Sequence, residues 1–554
     1  MKFPVFVFSI ARLTIFISPV LQAVRRCDSR FCGLWIAAVV SLHFSVVAQN
    51  ATPLRPLTED SEYLNTVQQK TFRYFWDFAH PVSGLIPERT ATPNIVTSGG
   101  TGFGVMALVV GTHRNWITRP QAVERLLKMT RFLEKAERFH GAWSHWLDGR
   151  TGKVVPFGKY DDGGDLVETA YLINGLLVAR QYFDAKNPAE TELRRRIEQL
   201  WRSVEWNWYV HEGKLLWHWS PRYGWKMNHG IGGYNECLVT FVLAMASPTY
   251  AITPEVYVNT WKKHEPAHYK NGKNFFGYTL PLGFDYGGPL FFAHYSYLSL
   301  DPRQMQDEDA NYWQLNTAHT LINRAYCLEK APTEFGYSEE DWGLTASDNH
   351  LFYGAHNPTE DNGTITPTAA LSSFPYTPFY SMQALKHLYR RQGNRLFGEY
   401  GFFDACNLKN DWYSNQYLAI DQGPIVVMIE NYRSGLLWKL GEKITEMQQA
   451  LPKMGIHKPD YPTGFYQYTP EKRSGKIDLM KHPDENQYVL DFFVANDAPV
   501  TIELENPKGE RNSLVLNQKY QKGPQRLLFE ADAGEYVVLL TQGEKIEKIA
   551  VKLR

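Results

Sequence analysis

The chain has 554 residues with 58 basic and 58 acidic side chains, and 14% of it is Phe, Trp or Tyr. That length accommodates one large domain and a smaller one, while a net charge near zero with no basic run excludes nucleic acid and any anionic substrate held by general electrostatics. Aromatic richness at neutral charge suits a neutral polyhydroxylated ligand, whose C–H faces lie on rings, although helix–helix packing accounts for most of these rings.

Residues 1–49 follow a separate logic. Arg25, Arg26 and Arg30 precede the apolar run Cys32 to Val40, and Val47-Ala48-Gln49 resembles a small-residue cleavage site. A secretory leader is expected, and with it an exported protein, periplasmic or at the cell surface, with no membrane contact beyond the leader. A second apolar stretch, Phe3 to Val20, leaves a later start or a double span open. Without these residues 53 basic groups face 57 acidic ones, and only Cys237, Cys327 and Cys406 remain. Three thiols make neither a disulfide framework nor a metal-ligand spacing.

From Thr58 to about Leu440 the apolar period is helical and recurrent. Helices are expected over Thr58 to Phe78, Arg119 to Phe139, Asp165 to Phe183, Pro188 to Trp208, Asn235 to Ala246, Pro254 to Trp261, Ala310 to Leu328, Pro378 to Tyr389 and Ile425 to Leu440, with a short apolar run at Gly104 to Val110. Long aromatic loops containing Gly and Pro separate them. Helices alternating with long loops point to a double ring closed into a toroid with its site among the loops, and a non-closed helical repeat has the same local signature. Around Pro452 the period changes to that of strands, including Tyr488 to Val494, Val500 to Leu504 and Tyr536 to Leu540. The expected organisation is thus a catalytic helical domain over 50–452 and a small β-sandwich over 458–554.

The stretch Lys159 to Thr169 carries four carboxylates at the mouth of an apolar helix: Asp161, Asp162, Asp165 and Glu168. Asp165 and Glu168 share one helical face, and like charges this close raise one another's pKa, which lets one carboxyl stay protonated while another ionises. The same pair also has the spacing of an N-cap and its capping-box partner. Two further acids in the approach loop exceed what a cap requires.

A second candidate is Glu236, after the Gly-rich turn Gly230 to Gly233 and before an apolar helix, where it serves equally as a favourable charge at the helix N-terminus. Asp421 in Ile420-Asp421-Gln422-Gly423-Pro424 and Asp348 near Trp342 follow, with a turn role the simpler reading of Asp348. Trp143, His145 and Trp146, and Trp217, Trp219 and Trp225, are candidate sugar-stacking residues, about half of them core. There is no nucleophile elbow or Walker loop, and Gly99-Gly100-Thr101-Gly102-Phe103-Gly104 lacks the order of a dinucleotide fingerprint, so it is read as a close-packed helix entry. Scattered histidines argue against a catalytic metal, and no cofactor is implied.

Several of these segments, among them Asp162 to Thr169, Gly233-Tyr234-Asn235-Glu236, Gly287 to Ser296, Trp342 to Asp348 and Ile420 to Arg433, resemble the glycoamylase-like proteins of glycoside hydrolase family 144, which degrade β-1,2-glucan. The resemblance implies an (α/α)6 barrel and an inverting hydrolase, with functional acids at Asp161, Asp165, Glu168 and Glu236 and Glu236 as the acid. Inversion requires two carboxyl groups roughly 6.5–9.5 Å apart, one protonating the leaving oxygen and the other activating water. The base is placed in the Asp161 to Glu168 cluster, with Asp421 in reserve. Asp162, Trp143, His145, Trp217, Trp342, Asp421 and Arg433 form the expected substrate-binding set of a monomer acting on a neutral glucan. The alternatives are a glycosidase of another linkage and a non-catalytic carbohydrate-binding surface protein.

Overall fold

The computed structural model describes residues 54–459, 478–481, 487–494, 499–520 and 523–553. The expected leader and the segment 461–477 lie outside the described residues.

Residues 54–459 are mainly helical. The helices are α1 Asp60–Asp77, α2 Ser98–His113, α3 Arg119–Leu133, α4 Leu166–Tyr182, α5 Pro188–Arg202, α6 Leu238–Ala246, α7 Pro254–Tyr257, α8 Tyr312–Glu329, α9 Pro367–Leu371, α10 Pro378–Arg391, α11 Ala419–Ser434, α12 Leu436–Glu442 and α13 Thr445–Ala450. They fall into two kinds. In α2, Ser98 to Thr112 are all buried, as are Leu166 to Ala179 in α4 and Leu238 to Met245 in α6. Helices apolar on every side belong in a core. By contrast α1, α3, α5 and α10 bury one stripe, as Leu193, Ile197, Leu200 and Trp201 do in α5. The buried helices pack on one another and the striped ones cover them, with α3 against α5 and α1 against α11.

Close approach of the buried helices depends on glycine. A Cβ at Gly102 would lie 2.1 Å from the Tyr171 carbonyl oxygen, and one at Gly175 would lie 2.1 Å from that of Gly102, so α2 and α4 touch backbone to backbone. The glycine run at residues 99–104 is therefore a packing device, as read from its order.

Several helix ends differ from expectation. The Arg119 and Pro188 helices stop at Leu133 and Arg202. The run from Asn235 becomes helical only at Leu238, leaving Glu236 in the preceding turn. The last long run begins earlier, at Ala419, with Pro424 inside it, and breaks at Gly435, whose φ of +66° is left-handed. Proline removes one helical hydrogen bond but not the helix, because Asp421 to Gly423 before it and Ile425 to Asn431 after it are all buried in the core.

Small antiparallel pairs organise the loops at the N-terminal ends of the buried helices. Ile95–Thr97 pairs with Trp146–Asp148, and Gly164–Asp165 pairs with His218–Trp219.

The C-terminal strands are β1 Asp478–Lys481, β2 Gln487–Val494, β3 Val500–Glu505, β4 Arg511–Gln518, β5 Gly523–Glu530, β6 Gly534–Gln542 and β7 Lys545–Leu553. They form two antiparallel sheets, in the orders β1-β2-β5 and β4-β3-β6-β7. Alternate residues of both, including Leu490, Phe492, Ile502, Leu504, Val538 and Leu540, share one buried cluster.

Candidate active site

The N-terminus of α4 is where the acids converge. Asp165 is its N-cap, accepting the Glu168 N–H at 2.9 Å. Its other oxygen takes His145 Nδ1 at 3.1 Å and lies 3.5 Å from His218 Nε2. Burial alone would push this fully enclosed carboxyl up, yet hydrogen bonds from the two imidazoles hold it well below the usual range. His145 in turn is raised to about 9: burial disfavours its charge, but Glu168, Asp165 and Asp161 together outweigh that.

Glu168 does not close a capping box. Its Oε2 instead accepts the Gly99 N–H at 2.7 Å and the Thr97 hydroxyl at 3.1 Å, so it plugs the N-terminus of α2. A Cβ at Gly99 would sit 2.6 Å from that oxygen, so the position tolerates no side chain without moving the carboxylate. Burial pushes Glu168 up, as it does Asp161, whose Oδ2 is 3.3 Å from His218 Nε2 and whose Oδ1 is buried without a partner among the described residues.

Glu236 sits in the turn that opens α6. Its backbone carbonyl accepts hydrogen bonds from the Ser296 hydroxyl and, at 3.3 Å, from Tyr171 on α4. Burial pushes its carboxyl up to about 7, with the Glu168 charge acting in the same direction. The glutamate opening one helix is therefore within electrostatic reach of the acid cluster opening another.

A further group of carboxylates lies at the start of α11. Asp421, in the first turn, is almost fully buried beside Asp404; burial raises both, joined at Asp421 by the Asp404 charge and at Asp404 by the Asp348 charge, while a hydrogen bond from Asp421 works the other way on Asp404. Asp404 Oδ2 accepts the Asp348 N–H at 2.7 Å, and Arg89 bonds Asp348 at 2.9 Å and Glu88 at 2.8 Å. Tyr295 stands between the two groups, feeling Asp421 on one side and Glu236 and Glu168 on the other.

The other expected binding residues divide. His145 and Trp217 are part-exposed; His145 stacks on Phe157 at 4.1 Å, and Trp217 clusters with the His218 and His229 rings. Asp162 accepts the Ser220 hydroxyl at 2.5 Å and pairs with Arg222 at 3.4 Å, so it braces the 220–224 turn. Three assignments need correction. Trp143 and Trp342 are fully buried, and the Trp143 indole N–H is bonded to the Leu133 carbonyl, so neither ring offers a face to a sugar. Arg433 is buried in the last turn of α11, bonded to Gln68 and Asn65 at 2.7 Å. At 1.5 Å per residue it is roughly 18 Å along the helix from Asp421, at the opposite end.

Sequence reasoning passed over His218, flanked by two tryptophans it did single out, and Asp404, which nothing local distinguishes. His145, Asp161 and Asp165 present donor atoms within 4.8 Å of one another, a spacing a cation could use. The imidazole–carboxylate pairs account for that spacing by themselves.

Comparison with known proteins shows the family of the chain. The Glycoamylase family model matches residues 228–445. An exo β-1,2-glucooligosaccharide sophorohydrolase (non-reducing end) of Parabacteroides distasonis is 46% identical over 421 residues, covering 72% of this chain. The chain spans 58% of the length of that relative. An endo-β-1,2-glucanase from Chitinophaga pinensis, solved with sophorotriose and glucose, is 52% identical with a TM-score of 0.71, covering 73% of this chain and 100% of its own. A β-1,2-glucanase structure from Parabacteroides distasonis gives 46% identity and a TM-score of 0.70, covering 72% of this chain and 60% of its own. With half of the residues shared along the whole of the Chitinophaga chain, this protein belongs to the glycoamylase-like glycoside hydrolases of family 144.

Proposed function

We propose that this protein is an inverting glycoside hydrolase of β-1,2-glucan in which Glu236 protonates the leaving glycosidic oxygen. The observation that carries this reading is the meeting of Glu236 with the α4 cluster: an enclosed carboxyl raised to about 7 stands within electrostatic reach of a cluster in which two imidazoles keep Asp165 charged. Two titratable groups whose surroundings drive them apart are what general acid–base catalysis requires. The Chitinophaga and Parabacteroides relatives, named for β-1,2-glucan hydrolysis, supply the linkage.

In this mechanism a water attacks the anomeric carbon from the face opposite the leaving group as Glu236 gives up its proton. The carboxylate that takes the water's proton, directly or through a relay, belongs to the cluster from Asp161 to Glu168. Asp165, bonded on both oxygens, positions its neighbours. Asp161 keeps an unpartnered oxygen. Trp217 and His145 line the approach, and Asp421 forms the opposite wall.

The reading extends to the chain as a whole. The buried helices α2, α4, α6 and α11 form the inner ring of an (α/α)6 toroid over residues 50–452, the strands from 458 onward form an accessory β-sandwich, and residues 1–49 direct export. The protein acts as a monomer on a neutral glucan.

The test is incubation with linear β-1,2-glucan, following products by chain length and anomeric form. Release of β-1,2-linked fragments with a new α-anomeric end is the expected result. No release, or a β-anomer as first product, would overturn it.

A further inference from the structure

The hairpin Ala346–Asp348 with Tyr353–Ala355 ends in a turn whose Leu351 and Phe352 are 70% and 67% exposed. The turn is well held: Asn349 Oδ1 accepts the Leu351 and Phe352 N–H groups at 2.9 and 3.0 Å, and Asn349 Nδ2 is 3.0 Å from His356 Nε2. A rigid turn that holds a ring in water calls for an explanation beyond local folding.

Across from it run Trp412 to Gln416, and with Arg89 and Asp348 these segments line an open cavity of about 530 Å³. Small-molecule sites commonly have roughly 300–1,000 Å³. Phe352, Tyr353 and Trp412 supply ring surface, whereas the Tyr413 ring is already covered by the Arg395 guanidinium at 3.9 Å. The cationic lining group is Arg89, and its charge is taken up by Glu88 and Asp348. The cavity therefore suits a neutral ligand.

Its position links it to the carboxylates. Asp348, on its floor, donates its N–H to Asp404. The strand carrying Arg89 bridges Leu418, and the Ala419 N–H bonds the Glu88 carbonyl at 2.9 Å, so the cavity wall is stitched to the first turn of α11, which bears Asp421.

We propose that this cavity is an outer glucosyl subsite, holding sugar units of the same glucan chain beyond those at Glu236 and Asp421, with Phe352 and Trp412 as its stacking platforms. The proposal rests on the β-1,2-glucan reading above. A sugar there lengthens the bound segment without touching the reacting bond, so its contribution grows with substrate length and falls mainly on KM.

The test compares full-length wild type, Phe352→Ala and Trp412→Ala on β-1,2-linked gluco-oligosaccharides of increasing length. The exposed Phe352 side chain can be removed without opening the core. The expected result is that the ratio of kcat/KM on long substrates to that on the shortest cleaved one falls roughly tenfold in each variant, carried by KM. An unchanged ratio, or a loss equal at all lengths, would overturn the subsite. A wild-type protein that cleaves no β-1,2-glucan would instead sink the underlying reading.

Discussion

The two acidic groups are built alike and held oppositely. At the α4 entrance, Asp161, Asp165 and Glu168 are interleaved with His145 and His218, and Asp165 is kept ionised although no water reaches it. At the α11 entrance, Asp404 and Asp421 are buried side by side with no imidazole between them, and both rise. Arg89, the nearest cation, is already shared by Asp348 and Glu88. What separates Asp165 from Asp404 and Asp421 is thus the counter-charge within reach, since burial works in the same direction at all three; Asp161 and Glu168, less fully matched, rise as well.

The largest expected effect comes from Glu236, which leans on the first group. Glu236→Gln removes the transferable proton and should lower kcat by about 10²–10⁴-fold while leaving glucan binding measurable by calorimetry. In the wild type the acid is active when protonated, so kcat/KM should fall as pH rises through about 7. Near wild-type turnover in the Gln variant would remove Glu236 from the proton-donor role.

Next, His218→Ala should make the first group behave like the second. Removing a partner shared by Asp161 and Asp165 leaves buried carboxylates short of counter-charge, at a cost of about 3 kcal/mol in a denaturant melt at neutral pH. A loss under about 1 kcal/mol would mean that His145 and the helix N-terminus suffice.

Gly99→Ala probes the same group from its backbone side. The new Cβ must displace Glu168, and a stability loss of about 1–3 kcal/mol with reduced kcat is expected. Unchanged kcat would show that the placement of Glu168 is structural only.

The smallest effect sharpens the second group. A carboxyl raised in the folded state stabilises the fold in its protonated form, so stability falls as pH rises from the usual carboxylate range through the raised value. Asp421→Asn removes a strongly raised carboxyl from the titration and should shrink the stability drop between pH 5 and pH 8 by about 1 kcal/mol. An undiminished drop would place its origin elsewhere in the chain.

The individual members of these groups differed in how readable they were. The surplus of acids between Asp161 and Glu168 stood out because a cap needs fewer, and the capping reading of that stretch holds in part: Asp165 caps, while Glu168 reaches α2 instead of closing the box. Trp143 and Trp342 misled because a tryptophan beside a site looks the same in sequence whether its ring faces a sugar or a neighbouring helix. Arg433 misled because a motif along one helix joins its two ends, although only the first turn of α11 meets the acids. Asp404 has no local mark at all, since its pKa is raised by burial and by Asp348, 56 positions before it.

The linear order of residues was enough to place most of the long helices, to mark where the period turns to strands, and to show carboxylates gathered at helix starts, because these follow from spacing and local propensity. Only the tertiary structure decided which helix starts meet, which acids receive an imidazole and which rings are left facing water. Burial and counter-charge are properties of neighbours brought together by packing, and residues as far apart as Gly99, Glu168, Glu236 and Asp421 acquire their electrostatic roles only when the buried helices close on one another.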